Sequence, residues 1–159
     1  MSTEDDTQKA KGRRYAEAWW RIREARANGF YFEVVTLCES IISDRLLSYI
    51  VGKHEKANER TNFGSLIEKW KKLAGENLPS FESSNLADAV DDWREHRNEV
   101  VHGITKSLPG TAMPPLEEFI VRARETAERG AVLARLVSNW HRQQLREHLK
   151  TSDKGDDHD

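Results

Sequence analysis

YFEVVTLCESIISDRLLSYIV, residues 31–51, sets Val34, Val35, Cys38, Ile41, Ile42, Leu46 and Ile50 at steps of three and four. That spacing wraps an apolar face around an α-helix and fits no strand. A face this broad suits a central helix, or one shared with a partner subunit. Upstream, Tyr15, Trp19, Trp20 and Ile22 predict a helix from about Lys9 to Ala27, ended by Asn28-Gly29. Downstream, a charged linker, Lys53 to Asn62, leads into a short helix from about Ser65 to Ala74 carrying Leu66, Ile67, Trp70 and Leu73. After the breaks at Gly75 and Pro79, a fourth helix is expected from Ser84 or Asn85, both good N-caps, to a terminating Gly103. Pro109, Gly110 and Pro114 mark a loop, and a long last helix is expected from about Pro115 to Leu149, with a kink at Gly130. No convincing two-residue alternation interrupts the series. The fold class is therefore all-α: an up-and-down bundle with one short extra helix and a long C-terminal one.

The chain has 159 residues, enough for one domain that buries a core without disulfides or metals. The domain is expected over residues 9–150, with disordered tails at 1–8 and 151–159, which are polar and offer nothing to bury. One third of the residues are charged, yet the formal net charge is only -2, so any nucleic-acid contact must come from a local basic patch. A helical DNA-binding module would need a basic recognition helix, and none stands out. The single cysteine, Cys38, has no partner for an internal disulfide, and a reducing cytoplasm fits. The first residues lack the apolar core of a signal peptide, and no apolar run has membrane-spanning length.

Chemistry concentrates in WREHRNEVVHG, residues 93–103, which contains Arg97-Asn98 and, four positions beyond Asn98, His102. Arginine offers a fixed fork of donors for a phosphate, and histidine is the side chain most easily poised for proton transfer near neutral pH. Arg135 with His141, and Arg142 with His148, match the bare spacing too, but lie mid-helix without an adjacent Asn or a following Gly. On an ideal helix, Arg97 and His102 stand about 140° apart and about 7.5 Å along the axis. Convergence therefore requires the helix to unwind at Gly103, freeing His102 to swing towards Arg97.

With the preceding Glu39-to-Leu46 helix and the Phe63-Gly64-Ser65-Leu66-Ile67 segment, this motif resembles the HEPN superfamily, from about Tyr31 to the end of the last helix. The resemblance implies a metal-independent endoribonuclease without a cofactor. His102 would act on the 2'-hydroxyl or leaving oxygen, Arg97 would stabilise charge on the phosphate, and Asn98 would position either. It further implies a homodimer whose two motifs share a composite cleft, with RNA as substrate. The role would be that of a toxin in a toxin–antitoxin pair or an abortive-infection factor. HEPN toxins silenced by nucleotidylation carry a tyrosine two residues after the histidine; here Ile104 stands there, so a protein antitoxin or other regulation is expected instead. The alternative is an inactive HEPN-like dimer that binds nucleotide, RNA or protein as a scaffold. The blandest reading of Arg97 and His102 is a helix-end arginine and a capping histidine.

Glu39 falls on the apolar stripe of Val35, Ile42 and Leu46, where a carboxylate needs a partner, and the HEPN-like packing that the resemblance implies would bring the second helix against the fourth, near Arg97. Lys69, Lys71 and Lys72 read first as a solvated face, and the tryptophans as core, although Trp19 and Trp20 cannot both face inward. His54, His96, His141 and His148 show no metal-ligand spacing, and Cys38 reads as buried and inert.

Overall fold

A computed structural model describes residues 3–153. Five helices account for most of them: α1 (Thr3–Ala27), α2 (Tyr31–Gly52), α3 (Phe63–Ala74), α4 (Leu86–Gly103) and α5 (Leu116–Asp153). A 3-10 turn, Gly75–Asn77, and an antiparallel ladder of β1 (Ser80–Phe81) with β2 (Ser84–Asn85) join α3 to α4. The ladder is too short to show as alternation in the sequence. The all-α class is thus realised, and the helix boundaries fall close to those expected.

The largest departure is at the N-terminus. The helix expected from Lys9 starts at Thr3, so 3–8 are helical rather than a disordered tail. Glu4, Asp5 and Asp6 stand in its first turn, where the helix dipole favours negative charge, and Lys9 pairs with Asp5 at 2.7 Å. At the other end α5 runs to Asp153, past the expected stop at Leu149, and the rest of the predicted C-terminal tail lies outside the described residues.

The four long helices alternate in direction. Lys11 and Tyr15 meet Asp44 while Arg21 meets Glu33, which sets α1 antiparallel to α2. Phe32 stacks on Phe119 and Tyr49 meets Trp140 edge-on, so α2 and α5 run side by side in the same sense. The short α3 lies beside them, its Trp70 against Trp140. Val34, Val35, Ile42, Leu46 and Ile50 of α2 are completely covered, as the breadth of their stripe requires. Cys38 is equally buried, and burial pushes its thiol up to about 12, leaving it an inert packing group. Trp19 takes the Arg135 guanidinium over its ring at 4.9 Å, while Trp20 faces outward.

Trp93 sets how α4 lies on α5. Its indole Nε1 donates to the carbonyl of Thr126 at 2.9 Å, and its ring covers Gly130 so closely that a β-carbon there would stand 2.7 Å from it. The helix is continuous through Gly130, whose value is the space it leaves for the indole. Gly103 performs a similar service at the other end of α4, where a β-carbon would approach Phe119 to 3.2 Å.

Two stability outcomes follow from this packing. Gly130→Ala gains roughly 1 kcal/mol in helix propensity but forces a methyl into a rigid indole, and overpacking of that kind costs about 1–3 kcal/mol. Urea denaturation should show a net loss, and combination with Trp93→Leu should cost less than the sum of the two changes. The second outcome concerns His141, buried on α5 with Nδ1 unpartnered. Burial first, and then Arg45, lower its pKa to about 4, with Lys11 acting in the same direction and Asp44 in the opposite one. The unfolded histidine takes up its proton near 6.5, so this contribution to stability is intact above that pH. It is lost on acidification towards 4, at up to about 1.4 kcal/mol per pH unit. His141→Gln should flatten the urea midpoint between pH 6.5 and 4; an unchanged slope would assign the acid sensitivity elsewhere.

Candidate functional site

Asn85 caps α4 by accepting from the Asp88 backbone N–H at 2.9 Å, and the apolar face of Leu86, Val90, Trp93 and Val100 turns inward. The remaining surface of the helix carries the residues singled out in the sequence. Arg97 and Asn98 are half-buried, and His102 is exposed in the last turn.

The structure places Arg97 and His102 on two different clefts. His102 lines a cleft of about 820 Å³ between α4, the α4–α5 loop and the first turns of α5, with Lys106, Phe119 and Arg122 among its walls. Arg97 lines another, of about 680 Å³, between α2, the linker before α3, and α4. Asn98 lies on the wall common to both. The unwinding expected at Gly103 does not occur: α4 stays helical through that residue, and Ile104 beyond it still has right-handed helical angles. A regular helix cannot bring side chains five residues apart onto one point, so within one chain the pair does not converge.

Glu39 is where the apolar stripe of α2 predicts a partner. Its carboxylate forms an ion pair with the Arg97 guanidinium, and both side chains are about one-fifth exposed. Arg97 also donates through Nη1 to the Asn98 side-chain oxygen at 2.7 Å. The guanidinium is therefore oriented from two sides, by a charge on α2 and an amide on its own helix.

Several groups around His102 were not foreseen from the sequence. Arg122 and Arg129 reach the same cleft from α5, seven residues apart and hence on one face. Arg129 is tied to Glu82 by two hydrogen bonds, at 2.7 and 3.1 Å, which hold the Glu82 carboxyl below the usual carboxylate range. No ion pair among the described residues engages Lys106 or Arg122, and the cleft also holds Glu99 and Glu125, so its charge is mixed. His96 turns to its own helix, with Nδ1 at 2.9 Å from the Asp92 carbonyl. Lys71 of the lysine cluster is paired with Asp88.

Among the described residues, no group of three or more His, Cys, Asp or Glu side chains is placed to hold a metal ion. No helix there is long and apolar enough to cross a membrane. Neither family models, nor curated proteins, nor solved structures match this chain.

The Glu39–Arg97 pair makes a direct prediction about stability. Glu39→Ala leaves a half-buried guanidinium without its counter-charge and should cost about 1–3 kcal/mol. Glu39→Leu with Arg97→Met removes both charges and should recover most of that loss in urea denaturation. Equal loss in the single and double variants would mean that the pair contributes packing alone.

Proposed function

We propose that the chain is a metal-independent endoribonuclease that cleaves RNA through the RNA's own 2'-hydroxyl, with Arg97 and His102 as its catalytic pair and Asn98 and Glu39 positioning Arg97. The observation that carries this reading is the ridge of α4. Arg97-Asn98 and His102 form adjoining walls of two open clefts, and the histidine is reached by solvent. A histidine there can take or give a proton, and an oriented guanidinium can meet a phosphate bidentately. Because one chain presents them on separate clefts, a phosphodiester touched by both would lie between two copies, with Arg97 from one protomer and His102 from its partner. Such a composite site makes a homodimer the active species. Cleavage of cellular RNA would arrest growth, the role of a toxin or an anti-phage effector held in check by a protein antitoxin.

The ion pair on Arg97 favours a second reading. A guanidinium already matched by Glu39 is what a structural arginine needs, and the chain would then be an inactive dimer that binds RNA, nucleotide or protein as a scaffold.

Incubation with single-stranded RNA in EDTA separates the two. The wild type should cleave RNA and leave DNA intact, while His102→Ala and Arg97→Ala should each lose about 10²–10⁴-fold in rate with unchanged melting. Mixing the two inactive variants should restore about a quarter of the activity through heterodimers that retain one intact site. No cleavage by the wild type would leave the scaffold reading; cleavage without restoration on mixing would locate both residues on one protomer.

A further inference from the structure

The cleft on the Arg97 side of α4 has a chemistry of its own. Its neutral polar walls include Ser40 and Ser43 of α2, Asn58 and Asn62 of the linker, and Asn98, with Arg94 beside Arg97. The amide oxygens are already used. Asn58 accepts from the Arg60 backbone N–H at 2.9 Å, Asn62 from that of Ser65 at 2.9 Å, and Asn98 from Arg97 at 2.7 Å. Each amide is thereby held with its NH₂ group left over, since a side-chain amide has donors at one end and an acceptor at the other. Among the described residues those three NH₂ groups make no hydrogen bond, and neither do the hydroxyls of Ser40 and Ser43.

The carboxylates in the same walls are largely spent. Asp44 is engaged by Lys11 at 2.9 Å and by the Tyr15 hydroxyl, and Glu39 by Arg97. Arg94 is bound to Asp91 through Nε alone, at 2.9 Å, so the rest of its fork remains open. What is left is a cleft rich in donors, with Glu59 as the one carboxylate of its lining that no ion pair among the described residues engages. A ligand that fits must be rich in acceptors, carry negative charge and fill about 680 Å³.

We propose that this cleft seats a nucleotide of the RNA strand next to the scissile bond, its phosphate on Arg94 and Arg97 and its base against the Asn58, Asn62 and Asn98 amides. The inference rests on the ribonuclease reading for the identity of the strand. Arg97 and Asn98 line this cleft together with Arg94, so a scissile phosphate held on Arg97 has its neighbouring nucleotide on the Arg94 side, while the His102 that acts on the 2'-hydroxyl comes from the partner protomer. Arg94 is then a residue of substrate binding with no part in proton transfer.

The test is fluorescence anisotropy of the full chain with a labelled 2'-O-methyl single-stranded RNA hexanucleotide, which cannot be cleaved through its own hydroxyl. Arg94→Ala removes the open guanidinium, and Ser40→Leu fills the cleft from an exposed helical position. Each should weaken binding about tenfold or more with unchanged melting, while Arg146→Ala, on the exposed end of α5, should bind as the wild type does. Adenosine 5'-monophosphate should compete only weakly. Wild-type affinity in both cleft variants would overturn the proposal, as would absence of binding by the wild type. Competition by the mononucleotide as strong as by the hexanucleotide would replace the strand with a free nucleotide and overturn it equally. If the wild type binds this RNA through Arg94 yet never cuts the unmodified strand, the nucleotide seat stands and the nuclease reading falls.

Discussion

The indole of Trp93 resting in the notch that Gly130 leaves on α5 sets the rotation of α4, and everything on the outer side of that helix inherits its position. The contact is doubly specified. The ring needs the absence of a β-carbon, and its N–H needs the Thr126 carbonyl one turn earlier. A buried indole nitrogen without a partner would be costly, so the hydrogen bond selects one rotation where packing alone would tolerate several. With Trp93 and Val100 turned to the core, Arg97 comes to lie against α2 and meets Glu39. His102 emerges at the far end beside Phe119, where Gly103 allows the two helices to approach.

This arrangement divides the chemistry of α4 between two surroundings. On one side a half-buried guanidinium is matched by a carboxylate and an amide, in a cleft whose amide oxygens are consumed and whose NH₂ groups are free. On the other, a solvent-reached imidazole shares a larger cleft with Lys106, Arg122 and the pinned Arg129–Glu82 pair. Arg97 with its Glu39 and Asn98 partners lies on the first side, and His102 on the second. The composite site proposed for two copies would resolve the division, and so would a structural role for Arg97. The two readings differ in whether Glu39 orients the guanidinium or simply satisfies it.

Much of the architecture was legible because burial leaves a period in the sequence. The stripe of α2 named its buried residues, the cap at Asn85 marks where α4 begins, and Asn28-Gly29 marks the end of α1. The solvent-facing first turns of α1 left no such trace, since their helicity rests on charges near the dipole and on a local ion pair, not on burial. The packing roles of Gly103 and Gly130 were invisible for a related reason. A glycine in a helical pattern looks the same whether it ends a helix, bends it or admits a neighbour, and only the neighbour decides.

By itself, the sequence determined the helical class, the presence of the five helices, the buried stripe and the residues able to carry chemistry, because these depend on side-chain type and on spacing along one axis. It also implied that Glu39 needs a counter-charge, since a carboxylate on a buried stripe is tolerated only when paired. Tertiary structure alone decided which cleft each residue of the Arg97–His102 motif faces, that Arg97 is the partner of Glu39, and that Arg94, Lys106 and Arg122 stand beside them. Those facts depend on the rotation and separation of helices distant in sequence, which a repeat of 3.6 residues along each helix does not encode.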